Sequence, residues 1–327
     1  MDEHGTWSRK INRVKKLVVK SYISSLPAHI NGEEKVRALT NFAEGAALCG
    51  DDSVTTRSQT YETCDVGVII GNAFGANPDK VKLPHYRVRK SVIDTQEQLN
   101  KYWVSIDSNV FIYKDRVNPH KYLRYSFNGV FPATGIYCND DPGVENWNNM
   151  KRDYNMDLKP WRINGNHILI TLQRPMGWSM RGVNLMAWLD GTFANIRQYS
   201  DRPIVMRWHP GDWKNINNYL PILKKYNATL SPQERHITED LVNAWALVCH
   251  NSTPSSVATI EGVPAFITDN PGYCQAGEIA NTDFSLLENP KMPDRDLWIR
   301  KLAQCHWSFE DTKSGRCWAH MRNWVKT

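Results

Sequence analysis

At 327 residues the chain is long enough for two hydrophobic cores of the usual ~100–200 residues each, and its 41% hydrophobic and 23% charged residues are ordinary globular usage. No apolar run approaches the ~20 residues of a membrane span, and the opening MDEHGTWSRKINRVKK starts with acids and lacks a secretory apolar stretch, so a soluble, cytoplasmic protein is expected. Seven scattered cysteines without a C-x-x-C pair fit reduced thiols better than a disulfide frame or a zinc site. The net charge of +6 serves solubility or admits a polyanionic partner.

In chain order, residues 10–24 form a basic amphipathic stretch, with Arg9, Lys10, Arg13, Lys15, Lys16 and Lys20 concentrating the positive surplus. A helix is expected over 33–47 after Asn31-Gly32. Asp65–Gly71 (DVGVIIG) reads as a buried strand, 91–100 as a helix, Tyr102–Asp107 (YWVSID) as a strand ending on an acid, and 122–126 as another strand before the turn-rich FNGVFPATG. From Asn139 to Gly165 the chain is rich in Asn, Asp, Pro and Gly, which places a connection and a domain boundary there. Beyond it apolar runs at 167–172, 203–208, 228–230, 245–249 and 265–268 alternate with helical segments at 182–199, 216–225, 239–243 and from Ser255. Such alternation predicts a parallel sheet with crossover helices. The tail from 294 to 326 reads as two or three helices carrying Trp298, Trp307, Trp318 and Trp324. Most of the 13 tryptophans are expected in the core or at a domain interface, and some could stack on a sugar or base.

In an open parallel sheet the ligand lies beyond the carboxyl ends of the strands. Those positions hold Gln173, Arg174 and Ser179 after one strand, Arg207 and His209 after the next, and His250 to Ser256 (HNSTPSS) after a third. Small hydroxyl residues at a helix start leave N–H groups for an anion, so Ser252, Thr253, Ser255 and Ser256 are candidate phosphate ligands. Plain N-capping is the alternative. Arg207 and His209 would neutralise the charge growing on a leaving diphosphate and spare the enzyme a metal, with Arg174 and Ser179 as further candidate phosphate ligands. Asp140-Asp141 in the connection reads as a solvated turn rather than a metal site.

The pair His209-Pro210 followed by NSTPSSVATIEGVPAFITD resembles the donor half of GT-B glycosyltransferases, particularly capsule, Kdo and sialic acid transferases with an HP motif and a Ser/Thr motif. The resemblance covers 166–269. It implies two Rossmann-like α/β domains facing a central cleft, divided as 1–150, 151–310 and a C-terminal helix, 311–327, that crosses back to the first domain. It also implies a nucleotide-sugar co-substrate, UDP-linked, without further cofactor or metal, and places Gln173, Ile237 and Glu239 near the nucleotide. One departure is that the acid many such enzymes place four residues before the glycine of G-x-P is here Ala258, with Glu261 directly before Gly262. The runs RYSFNGVFPATG, GNHILITLQRPMGWSM and ANTDFSLLENPKMPDRDLWIRKLAQCHW are similar to glycosyltransferases of T4-like and marine tailed phages. That similarity implies a hydroxymethylated pyrimidine in duplex DNA as the acceptor.

For an inverting transfer the candidate general base is Asp107, ahead of Asp65 and Asp94. A flipped base would meet Phe127, Asn128 or Phe131, with Tyr137 nearby, although these aromatics could equally be a packed loop core. Two rivals stand beside the DNA acceptor. One is a capsule or lipopolysaccharide-type transferase acting on a surface glycan, with residues 10–24 docking on a membrane. The other is a non-catalytic DNA- or glycan-binding protein on a transferase fold.

Overall fold

The computed structural model describes residues 15–27, 32–73, 82–114, 122–175, 177–232 and 234–326, organised around two sheets. The first comprises β1 (Val18–Tyr22), β2 (Asp52–Thr56), β3 (Val66–Ile70), β4 (Tyr102–Asp107), β5 (Tyr122–Phe127) and β11 (His306–Ser308), in the order β11-β5-β4-β3-β1-β2. Strands β2, β1, β3 and β4 are parallel, β5 runs antiparallel to β4, and β11 antiparallel to β5. The second comprises β6 (His167–Thr171), β7 (Ile204–Arg207), β8 (Thr229–Leu230), β9 (Ala244–Cys249) and β10 (Ala265–Ile267), all parallel in the order β10-β9-β6-β7-β8. Both are Rossmann-like, and the α/β expectation holds in each half.

The central strands are near-continuous apolar runs because helices cover both faces of a parallel sheet. VGVII in β3 is buried throughout. The helices are α1 (Gly32–Leu48), α2 (Pro84–Gln98), α3 (Glu145–Tyr154), α4 (Leu185–Tyr199), α5 (Ile216–Lys225), α6 (Ile237–Asp240), α7 (Pro254–Ile260), α8 (Asp296–Gln304), α9 (Phe309–Lys313) and α10 (Arg316–Met321). Helix α4 starts where the Asn184 side chain accepts from the N–H groups of Met186 and Ala187, an N-cap worth about 1 kcal/mol.

Each sheet has an apolar core of its own, and a further cluster joins the two. Phe111, Trp147 and Met150 from the first half pack with Leu169, Leu247, Trp298 and Ile299 of the second. The tryptophans largely follow expectation, with Trp103, Trp147, Trp208, Trp298, Trp307 and Trp318 all buried.

Three elements depart from the sequence expectations. Residues 10–24 do not form a surface docking stretch where they are described: 18–22 is the interior strand β1, with Val19 and Ser21 buried at a strand's spacing and Tyr22 buried at its end. The connection at 139–165 contains α3, an asparagine-rich helix whose Trp147, Met150 and Tyr154 are buried. The expected division at 150/151 therefore falls inside a helix, and the passage between the sheets lies at 155–166. The return to the first sheet begins with β11, ahead of 311, and a short strand sits within a tail read as helical. The returning segment is latched by Asp51, whose carboxylate accepts from Trp318 Nε1 at 2.7 Å, Arg322 Nε at 2.6 Å and the Leu17 N–H at 2.9 Å.

Candidate functional site

Strand order reverses in the second sheet between β6 and β9, so the loops that follow them open a crevice at their carboxyl ends. The loop after β7 flanks the β6 side. Gln173 forms the floor: its Nε2 donates to Asn251 Oδ1 at 2.8 Å and Ser179 Oγ at 2.9 Å, while its Oε1 accepts from the Asn251 N–H at 3.2 Å. Asn251 Nδ2 donates in turn to the Ser179 carbonyl at 2.9 Å and to Asp269 at 2.7 Å. Gln173 is buried and spends its amide on this bracing, so it shapes the crevice instead of reading a nucleotide, and Ser179 is part of the same brace. This corrects the expectation for both.

His209 and Arg174 stand at the mouth. The Gly211 N–H donates to His209 Nδ1 at 2.9 Å, which leaves the proton of the neutral ring on Nε2, available as a donor. Burial, reinforced by the Arg174 charge, pulls the His209 pKa below its ordinary value, so the neutral ring is favoured. The Arg174 guanidinium lies against Gly211, where an added Cβ would fall 2.4 Å from Nη2. A side chain at 211 would push the cation away from the imidazole.

The hydroxyl cluster divides. Ser255 Oγ donates to the Ser252 carbonyl at 2.7 Å and lies 3.2 Å from Cys274 Sγ, a local turn bond that makes it structural. Thr253 occupies the N-cap of α7 yet makes no side-chain capping bond. The hydroxyls of Ser252 and Ser256 are buried without a hydrogen-bond partner among the described residues. Capping therefore does not account for the cluster. Unspent buried hydroxyls are costly at about 1–3 kcal/mol each, and a bound phosphate oxygen would relieve that cost.

Arg207 is corrected as a phosphate ligand. Its Nη1 pairs with Asp240 Oδ2 at 2.5 Å and donates to the Arg235 carbonyl at 2.8 Å. The Asp240 side chain is fully buried, and a buried carboxylate must keep its cation. Glu239 likewise accepts from the His236 N–H at 3.1 Å in a capping box around α6, and Ile237 is buried beside it, so both shape the 231–240 segment. His236, which sequence reasoning passed over, reaches the Tyr113 carbonyl of the first half through Nε2 at 3.0 Å. An imidazole between Arg235 and an acid-rich α6 carried no signal beyond an ordinary cap.

In the first sheet Asp107 ends β4, with Oδ2 accepting from Arg124 Nη2 at 2.5 Å. Its second oxygen has no hydrogen-bond partner among the described residues and the residue lines a recess at the strand ends. Asp65, the weaker candidate, accepts from the Val18 N–H and pairs with Lys101 at 3.0 Å. Asp94 pairs with Lys90 along α2. The expected acceptor aromatics are corrected: Phe127 is fully buried against Tyr102 and Trp318, and Asn128 adopts φ of 58° while its Oδ1 accepts from the Trp103 N–H, a turn role. Phe131 meets Tyr273 edge to face at 5.1 Å, close to where the Ala133 N–H donates to the Gly272 carbonyl. These contacts join loops of the two sheets, and Tyr137 is buried with them, its hydroxyl accepting from Gln275. Of the basic N-terminal residues, Lys16 pairs with Asp52 and Lys20 with Glu62, while Arg9, Lys10 and Arg13 lie outside the described residues. No helix among the described residues is long and apolar enough to cross a membrane.

No family model matches the chain, and no curated protein does. Among solved structures it is similar to a KpsC of Thermosulfurimonas dismutans described as a beta Kdo 2,7 transferase, with a TM-score of 0.51, 14% identity, and coverage of 94% of this chain and 99% of that one. A second KpsC structure from the same organism, a beta Kdo 2,4 transferase, matches with a TM-score of 0.52, 11% identity, and coverage of 89% and 91%. At such identities the likeness is one of fold, and that fold is the two-sheet GT-B arrangement running nearly end to end.

Proposed function

We propose that the protein is a nucleotide-sugar-dependent glycosyltransferase whose acceptor is a glycan. The observation that carries this is the second sheet's switch point, whose strand-end loops hold a neutral His209, the Arg174 cation beside Gly211 and the partnerless hydroxyls of Ser252 and Ser256, groups that suit a phosphate. In the reaction Asp107 takes the proton of an acceptor hydroxyl, the freed oxygen bonds to the anomeric carbon, and the bond to the nucleotide phosphate breaks with its electron pair leaving on the diphosphate. His209 Nε2–H and Arg174 meet that growing charge.

A glycan acceptor is favoured over a modified base in DNA for two reasons. The similar folds belong to proteins described as Kdo transferases, and of the side chains suited to a flipped base Phe127 and Tyr137 are core residues and Asn128 a turn residue. The test is incubation with UDP-, GDP- and CMP-linked sugars against acidic and neutral oligosaccharides and hydroxymethylcytosine duplex DNA, read by mass spectrometry. A sugar-sized mass gain on an oligosaccharide, reduced about 10²–10³-fold in His209→Ala, is the expected outcome. A gain on the DNA would replace the glycan with the base, and the absence of both nucleotide binding and transfer would end the transferase assignment.

A further inference from the structure

The first sheet has a switch point of its own. Beyond the carboxyl ends of β3 and β4, roofed by α1 and α2, lies a recess of about 190 Å³ whose lining includes Lys35, Gly71, Tyr86, Arg89, Asp107 and Ser108. Its charges do not balance. Arg89 is buried, and its guanidinium reaches only neutral partners: Nε donates to the Ser25 carbonyl at 2.8 Å and Nη1 to the Asn72 carbonyl at 3.3 Å, with the Tyr86 ring 5.1 Å away. Among the described residues no carboxylate makes an ion pair with Arg89 or Lys35, and Asp107, the acid in the lining, already holds Arg124. Burying cations that outnumber their carboxylates is unfavourable. Its imprint is on Lys35, whose pKa is lowered first by burial and then by the Arg89 charge, with the Asp107 and Glu34 charges offsetting only part of this. Gly71, at φ of +70°, contributes no side chain to screen the guanidinium.

We propose that Lys35 and Arg89 seat an anionic group, a carboxylate or a phosphate monoester, carried by the sugar acceptor. This rests on the glycosyltransferase reading and deepens it: the seat fixes the acceptor ring so that a neighbouring hydroxyl meets Asp107 in the same recess. A guanidinium and an ammonium side by side match an oxyanion in charge and donor number. The recess has room for one ring-sized group, whereas the phosphates of a duplex stand on a convex surface that cannot enter it. An acidic glycan is thus the favoured occupant over DNA.

The test is a saturation-transfer NMR titration of the whole protein with methyl β-glucuronide, glucose 6-phosphate and the neutral methyl β-glucoside, repeated for Lys35→Gln and Arg89→Lys. At least one anionic sugar is expected to bind at millimolar concentration while the glucoside does not, and the stronger of the two identifies the group. Lys35→Gln is expected to weaken that binding by about tenfold, equivalent to ~1.4 kcal/mol. Lys35 is only partly buried, so this variant remains informative if Arg89→Lys fails to fold, and its thermal midpoint verifies that. Equal binding of the glucoside, unchanged affinity in Lys35→Gln, or binding of neither anion would overturn the proposal. Titration of free nucleotides in the same samples separates the two claims. Nucleotide binding without anion binding removes the seat and keeps the transferase, and the converse removes the transferase assignment.

Discussion

The two sheets place polar groups at their strand ends in opposite ways. In the second sheet Gln173, Ser179, Asn251 and Asp269 are bonded to one another, and Arg207 to Asp240, which leaves His209, Arg174 and the buried hydroxyls of Ser252 and Ser256 unspent among these strand-end groups. In the first, Lys35 and Arg89 share the recess with Asp107 but form no ion pair with it, and one oxygen of Asp107 is unclaimed. A prebuilt frame suits a group common to every nucleotide-sugar donor, the phosphate next to the sugar. An unbalanced recess suits a charged partner that arrives and departs.

The comparison breaks most severely if Asp107 is not the reactive group of the first sheet. Asp107→Asn is expected to lower transfer by about 10²–10⁴-fold, with nucleotide affinity retained, in steady-state kinetics paired with nucleotide titration. A loss of nucleotide affinity instead would show that the first sheet contributes to the donor site. Phe127→Ala comes next, with an expected cost of about 3–5 kcal/mol in denaturant unfolding, because the ring is fully enclosed. A near-neutral result would return Phe127 to the list of acceptor contacts. The smallest effect concerns acid. His306 donates through Nδ1 to the Leu302 carbonyl at 2.7 Å and accepts the Val110 N–H through Nε2 at 3.2 Å, so it is held neutral. Burial, aided by the Arg124 charge, pulls its pKa down to about 3. The unfolded chain takes up that proton near pH 6.5 while the native one does not. The contribution is whole above pH 6.5 and is lost as pH falls from there toward 3, at up to ~1.4 kcal/mol per pH unit. Unfolding at a series of pH values, with His306→Gln as the control that flattens part of the slope, measures it.

The same contrast explains what could be read from sequence. The second sheet announces itself because its strands are apolar runs separated by crossover helices, and its ligand residues follow those runs directly. The first hides three strands: β1 lies within the basic run of 10–24, β2 (DSVTT) lies at an edge and alternates little, and β11 is three residues between helices. Helix α3 carried a usable signal in Trp147, Met150 and Tyr154 at i, i+3 and i+7, masked by its asparagines. At the site, His209 and Asp107 were legible from strand ends. Arg207 was misjudged because a basic residue after a strand looks the same whether it faces a ligand or a buried acid thirty-three residues on. Lys35 and Arg89 lie on helices with no local motif, and only the packing of α1 and α2 over β3 and β4 brings them together.

Strand β11 also governs the order in which the protein can be completed on the ribosome. The first sheet lacks its edge until residues 306–308 have emerged, whereas every strand of the second lies between 167 and 267. Domains usually mature from the N-terminus during synthesis, but here every strand of the second sheet emerges while the edge of β5 is still uncovered. An open strand edge is a template for mispairing. Stalling or truncation just before 306 therefore exposes the nascent chain to aggregation at the point where nearly all of it has been made.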